Sequence, residues 1–200
     1  MFRKQLENGK WVEKVNHLEQ SPEENMTDMI AGFFDSNDLS FSEKMQIYTE
    51  CFKVGDYTIG LVKLAERILE DLGDQEFAIE VYRKAQRVVS DIDDYYSLIV
   101  SIVENLIDLE WGGILVEEAI LLAERKHDTS SYVILAEIII QCLHDSDRSK
   151  FFYEKAFQYR KTAEDLEFLF NSAIEQGIEK EFFQNMIASP VALFLNIDLN

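Results

Sequence analysis

The side chains that most often carry chemistry are few and scattered in this sequence. The chain contains three His and two Cys, namely His17, His127, His144, Cys51 and Cys142. The closest grouping is Cys142, His144 and Asp147, whereas a zinc site needs about four ligands at short spacing. We therefore predict no metal site, and we expect both Cys to be buried, reduced thiols on separate helices.

A calcium loop is indicated only in its first half. Asp145, Asp147 and Ser149 have the spacing of the first three ligands of such a loop. Lys150 stands where the loop requires Gly, and Ala156 stands where it requires the closing Glu. Calcium binding is therefore not predicted.

Adjacent carboxylates could in principle act as an acid and a base, as at Asp93-Asp94 and Glu117-Glu118. In a chain with 38 acidic residues such pairs are common, and they are more typical of solvated helix faces. The sequence contains no Gly-rich phosphate loop and no Gly-x-Ser-x-Gly turn. We therefore expect a protein that is not an enzyme and that needs no cofactor.

A pattern of apolar and acidic residues repeats along the chain and predicts its helices. Leu64, Ile68, Asp74, Tyr82 and Ala85 have counterparts 34 positions later, and again 37 positions after that. Two weaker copies lie 34 positions before the first and after the last, so that units begin near Ile30, Leu64, Leu98, Leu135 and Leu169. Two amphipathic helices fit into each period, which indicates a helical-repeat array.

One unit resembles the tetratricopeptide repeat. After the turn at Gly73-Asp74, the positions of Ala78, Tyr82 and Ala85 match the second helix of that family. The Sel1-type repeat is a close relative of that family with a similar Asp…Ala…Tyr-x-Lys-Ala pattern, and it stays an alternative. Two positions depart from the family: Glu66 replaces a small packing residue, and Ser90 replaces the closing proline.

The resemblance covers roughly residues 30–190 and implies the fold. It implies an all-α, right-handed superhelix, or solenoid, of about five helical hairpins that binds other proteins and carries no chemistry. We predict a single domain over 1–200, with an N-terminal cap at 1–20, hairpins over 21–190 and a C-terminal cap at 191–200. The individual helices are predicted at 10–19, 22–34, 41–52, 57–72, 75–89, 95–107, 109–126, 130–143, 147–160, 163–176 and 179–188.

Two segments of the array allow two interpretations each. The run Val133–Ile140 is apolar nearly all round, which predicts a central buried helix or, alternatively, a dimer or partner surface. Gly112-Gly113 lies inside a predicted helix, where each glycine costs ~1 kcal/mol relative to Ala. Close packing or a local kink would explain these glycines, and so would a partner that approaches the backbone.

The net charge of −19 restricts the partners. Such a chain repels nucleic-acid phosphates and anionic membranes, and it favours basic partners. The alternative is that the acidity serves solubility alone. No apolar run reaches the ~18 residues of a membrane span, and the first residues contain no apolar signal segment. We therefore expect a cytoplasmic protein that binds neither nucleic acid nor membrane.

The predicted function is a non-enzymatic protein–protein interaction module. The first hypothesis is an acidic, stoichiometric inhibitor of a basic protein, such as an immunity protein or a phage-encoded inhibitor. The alternative is a general tetratricopeptide-like adaptor for a peptide or a complex, and a third hypothesis is an enzyme regulator with a small-molecule pocket. A homodimer could form through Val133–Ile140 or the apolar tail at 191–195.

The family's geometry would place partner-binding residues on the first helix of each hairpin. Carried over by spacing, these residues are Lys63, Arg67, Glu70 and Asp71 in the second unit and Ser97, Ser101, Glu104 and Asn105 in the third.

Overall fold

The computed structural model describes the backbone of residues 2–7 and 10–15, and residues 39–179, 181, 182 and 184 in more detail. Among the described residues from 39 to 184 the regular secondary structure is helical, which confirms the all-α prediction for these residues. The eight helices are α1 (Phe41–Val54), α2 (Thr58–Leu72), α3 (Gln75–Val88), α4 (Ile92–Leu106), α5 (Leu109–Lys126), α6 (Thr129–Leu143), α7 (Ser146–Tyr159) and α8 (Ala163–Glu175).

The N-terminus departs from the prediction. Strands β1 (Phe2–Glu7) and β2 (Lys10–Val15) pair antiparallel, with Phe2 opposite Val15 and Glu7 opposite Lys10. The predicted capping helix at 10–19 is therefore wrong over 10–15. Asn8-Gly9 separates the strands in the sequence, and Asn-Gly is a strong signal for a hairpin rather than a mere helix break.

Some predicted elements lie outside the described residues. They are the helix at 22–34, the C-terminal cap at 191–200 and most of the helix at 179–188. A further difference is a boundary: α4 begins at Ile92 and not at 95, because Asp91 is its N-cap and accepts a hydrogen bond from the Asp94 amide at 2.9 Å.

The predicted turn at Gly73-Asp74 has the same structure at the corresponding positions of the next two repeats. Asp74, Asp108 and Asp145 are each the N-cap of a helix and each accept a hydrogen bond from the backbone amide three residues later, at 2.9–3.0 Å. Ser40 occupies the same place before α1, where it forms a capping box with Glu43. The Asp that recurs in the sequence pattern is therefore a helix cap, because its carboxylate accepts a hydrogen bond from an amide that the helix leaves unpaired.

The repeated apolar positions form the core. Three positions of the pattern are fully buried in each of the three clearest repeats. They are occupied by Leu64, Leu98 and Leu135, by Tyr82, Val116 and Tyr153, and by Ala85, Ala119 and Ala156. The helices pack in the sequential pairs α2/α3, α4/α5 and α6/α7, an arrangement consistent with helical repeats.

The chain divides into two compact units, Met1–Ser90 and Asp91–Asn200. In the first unit α2 packs against both α1 and α3. In the second unit α6 packs against α4, α5, α7 and α8, and its side chains Val133–Ala136, Ile138 and Ile139 are buried. The run Val133–Ile140 is thus a central buried helix, as predicted.

The glycine pair in α5 has two different environments. A Cβ on Gly112 would lie 2.6 Å from Cγ2 of Val103, so this glycine allows α5 to approach α4 closely. A Cβ on Gly113 would meet nothing within 4 Å. Close packing therefore explains Gly112 and leaves Gly113 without a structural role in its unit.

Candidate functional site

The predicted partner residues of the second repeat, Lys63, Arg67, Glu70 and Asp71, lie on α2. Lys63, Arg67 and Glu70 are exposed, and Nη1 of Arg67 contacts Oε2 of Glu70 at 3.0 Å. Asp71 is half-buried and faces α1. Three of the four positions are thus open to solvent, and the fourth is engaged inside the unit.

Asp71 joins α1 to α2. Its carboxylate accepts hydrogen bonds from Nζ of Lys44 at 2.9 Å and from the hydroxyl of Tyr48. Burial raises the pKa of Asp71, but these two hydrogen bonds and the charge of Lys44 outweigh burial and hold the pKa below its usual value. Burial and the same carboxylate raise the pKa of Tyr48 well above its usual range. Asp71 therefore stays ionised and stabilises the helix pair.

The predicted residues on α4 are divided between surface and interior. Glu104 and Asn105 are exposed and Ser97 is half-buried, whereas Ser101 is buried. Nδ2 of Asn105 donates to the carbonyl of Ser101 at 3.0 Å. Of the four predicted residues on α4, Glu104 is therefore the one that is both charged and exposed.

Three helices of the second unit carry charged residues of one sign only. Helices α4, α6 and α8 contain no Lys and no Arg, and α6 packs against the other two. Their carboxylates are Asp93, Asp94, Glu104, Glu137, Glu164, Asp165, Glu167 and Glu175. We call Asp93, Glu104, Glu137 and Glu175 the acidic face, because the charges of Asp93 and Glu175 act on Glu137 and those of Glu104 and Glu137 act on Tyr96.

Glu137 is the half-buried member of the acidic face. Burial raises the pKa of its carboxyl group, and the charges of Glu175 on α8 and Asp93 on α4 raise the pKa further. A hydrogen bond from Ser172 has the opposite effect on the pKa but does not outweigh them. Carboxylates of two neighbouring helices therefore act electrostatically on the carboxyl group of Glu137.

A chain of hydrogen bonds holds Glu137 in place. Oγ of Ser172 donates to Oε1 of Glu137 at 2.6 Å and lies 2.8 Å from the hydroxyl of Tyr153. Because Ser172 has a single hydroxyl proton, Tyr153 is the donor in the second bond. Tyr153 is on α7 and Ser172 on α8, so side chains of three helices fix the orientation of one carboxylate.

Three neutral side chains, Tyr96, Gln141 and Cys142, border the acidic face. The hydroxyl of Tyr96 on α4 donates to Oε1 of Gln141 on α6 at 3.0 Å. Burial, assisted by the charge of Glu104, raises the pKa of Cys142 to about 11, so its thiol is protonated at neutral pH. Cys142 and Cys51 are both buried thiols, as predicted.

The sequence prediction included Glu104 but missed Asp93, Glu137 and Glu175. Two signals were available: α4, α6 and α8 are free of cations, and Glu137 is the one acid inside the apolar run Val133–Ile140. Neither signal carries weight until the helices are known to pack side by side.

In the part of the chain that the structure describes, no group of three or more His, Cys, Asp and Glu side chains is placed to hold a metal ion. Nor does that part of the chain contain a helix with the length and apolarity needed to cross a membrane. No protein-family model, curated protein or solved structure matches this chain.

Proposed function

We propose that this protein is a non-enzymatic interaction module that binds a basic protein partner through the acidic face and thereby inhibits it stoichiometrically, as immunity proteins and phage-encoded inhibitors do. The observation that supports the proposal is that α4, α6 and α8 carry carboxylates but no Lys and no Arg. In the second unit the described Lys and Arg residues lie instead on α5, on α7 and just after α7.

The electrostatics of Glu137 supply the physical reason. A half-buried carboxylate beside two other carboxylates is destabilised in its charged form. A Lys or Arg side chain of a partner would offset this repulsion, and it would also satisfy a carboxylate already oriented by Ser172. Complementary charge of this kind raises the association rate and favours basic partners over others.

The proposal is tested with a charge-neutralised face. The variant Asp93→Asn/Glu137→Gln/Glu175→Gln removes three carboxylates from the acidic face. The control Asp56→Asn/Glu80→Gln/Glu154→Gln removes three exposed carboxylates elsewhere and leaves the same net charge. Binding of an oligolysine peptide is measured by calorimetry at low salt, and the face variant should bind at least about tenfold more weakly, a loss of ~1.4 kcal/mol.

Equal losses in the two variants would overturn the proposal, because net charge alone would then account for binding. A pull-down from the native host then identifies the partner. A basic protein recovered by the control variant at low salt, but not by the face variant, supports the inhibitor. A salt-resistant set of several proteins favours the adaptor instead.

A further inference from the structure

A second surface of the unit Asp91–Asn200 lies on α5 and α7. Glu117, Leu121 and Glu124 are spaced four and three residues apart on α5, so they form one stripe along that helix. Arg148, Phe151 and Lys155 form a similar stripe on α7. We call these six residues the α5–α7 face.

Two ion pairs align the stripes. Nη2 of Arg148 lies 2.6 Å from Oε1 of Glu117, and Nζ of Lys155 lies 3.7 Å from Oε1 of Glu124. The lower-numbered ends of the stripes meet each other, and so do the higher-numbered ends. The stripes therefore run in the same direction, with an acidic row on α5 beside a basic row on α7.

The centre of the face is apolar and exposed. Leu121 and Phe151 lie between the two ion pairs, one on each helix. Their exposed fractions are 59% and 49%. Nζ of Lys155 lies 5.3 Å from the centroid of the Phe151 ring, so one side of the ring is next to a cation. An exposed apolar centre with a charged rim is the general composition of a protein interface.

We propose that the α5–α7 face is a homodimer interface that binds the same face of a second copy. A two-fold axis parallel to the two helices, lying in the plane of contact, places α5 of each protomer over α7 of its partner. The acidic row then faces the partner's basic row at both ends. In the middle, Leu121 faces the partner's Phe151.

The charge pattern selects a second copy over other occupants. The face contributes two carboxylates and two cations, so it is locally neutral within a strongly acidic chain. A basic partner would be repelled by Arg148 and Lys155, and an acidic partner by Glu117 and Glu124. The self-complementary arrangement pairs all four charges. Because the stripes are only ~10 Å long at 1.5 Å per residue, we expect a weak, reversible dimer.

The first test is sedimentation of the full chain over a concentration series. The wild type should pass from monomer to dimer within the micromolar to millimolar range, ~10⁻⁶ to 10⁻³ M. Phe151→Glu should weaken the dimer at least tenfold. The control Phe168→Glu changes an aromatic residue of similar exposure, 44%, on α8 and should leave dimerisation unchanged. A wild type that is monomeric up to about 1 mM, or equal effects of the two variants, would overturn the proposal.

A charge-reversal series tests the pairing itself. Glu117→Lys/Glu124→Lys makes both rows basic, and Arg148→Glu/Lys155→Glu makes both rows acidic, so each should be monomeric alone. The four substitutions together exchange the rows and should restore the dimer, and an equimolar mixture of the two double variants should form a heterodimer. Failure of both restorations, with circular dichroism showing native helix content, contradicts the paired rows.

These experiments are independent of the proposed function. The α5–α7 face and the acidic face share no residue, and the charge-reversal series leaves Asp93, Glu137 and Glu175 unchanged. Loss of dimerisation with oligolysine binding intact would therefore separate the two surfaces.

Discussion

At the scale of single residues, the repeat preserves a backbone conformation more strictly than a residue type. The residue before the capping Asp has a positive φ in all three repeats, at 63° for Gly73, 55° for Ile107 and 54° for His144. Only Gly adopts this left-handed conformation without strain, and a β-branched residue adopts it least readily. The helix caps around Ile107 therefore hold it in an unfavourable conformation.

Replacing Ile107 with Gly should stabilise the protein. The substitution relieves the left-handed strain of ~1–2 kcal/mol and costs less than that in chain entropy, so we expect a gain of about 0.5–1 kcal/mol. Little packing is lost, because Ile107 is 80% exposed. Urea unfolding measures the effect.

Gly73→Ala is the matched control for that substitution. It should destabilise by about 1 kcal/mol, and since nothing lies within 4 Å of the added Cβ, the whole effect belongs to the backbone. A gain in stability for Gly73→Ala would contradict the strain argument at both positions.

Glu137 should make the protein less stable as pH rises. Its pKa is raised in the folded state by burial and by Glu175 and Asp93, so the folded state holds this proton more tightly than the unfolded state. The free energy of unfolding therefore falls as pH rises from about 4.5 through the folded pKa. Glu137→Gln removes this loss and can still accept the Ser172 hydroxyl. At about pH 7 the variant should have a larger free energy of unfolding than the wild type, as measured by urea titration. Equal free energies of unfolding at that pH would refute the assignment.

Asp71 should give the opposite pH dependence. Its folded pKa is depressed, so its contribution to stability is present above about pH 3.8 and is lost as pH falls through the folded pKa. Asp71→Asn should lower the stability at neutral pH by ~1 kcal/mol or more, with the difference from wild type shrinking in acid. A constant difference down to about pH 2 would show that packing, and not the charge, is responsible.

At the scale of elements, the two glycines of α5 report on helix packing. Gly112→Ala gains helix propensity, but its Cβ would lie 2.6 Å from a methyl group of Val103, a side chain that is stiff at χ1. We expect a net loss of about 1–3 kcal/mol, as is typical of an overpacked core. Gly113→Ala meets no neighbour and should gain ~1 kcal/mol.

A rescue experiment separates close packing from other effects at Gly112. Adding Val103→Ala to Gly112→Ala removes the clashing methyl group. The double variant should therefore be more stable than the sum of the two single changes predicts. Strict additivity in thermal and urea unfolding would argue that α4 and α5 are not in close contact at this point.

At the scale of the whole molecule, the acidic excess sets the response to salt. The net charge is −19, and α4, α6 and α8 have no cation of their own to offset their carboxylates. Raising the ionic strength from ~0.01 M to ~0.15 M shortens the screening length from about 30 Å to about 8 Å. The repulsion among these carboxylates then weakens.

We therefore expect the protein to be more stable at the higher ionic strength, with the free energy of unfolding at neutral pH rising by ~1 kcal/mol. The triple variant of the acidic face should show a smaller rise than the control triple variant, although both carry the same net charge. Identical responses would mean that only the total charge matters.

The sequence by itself determined the local structure of the repeats. Asp74, Asp108 and Asp145 could be recognised as caps because hydrogen bonding to a free amide three residues later is a local interaction. The apolar spacing that predicted a buried core at Leu64, Leu98 and Leu135 is also local, since a helix fixes which residues share a face.

Only the tertiary structure decided how the polar residues are grouped. Ser101 was carried over as a binding residue, yet neighbouring helices bury it, and Glu137 was passed over within an apolar run, yet it lies beside Asp93 and Glu175. At the N-terminus, pairing between β1 and β2 replaced the helix predicted from residue 10. In each case the deciding partner lies on another element, and the spacing within one segment cannot reveal which element that is.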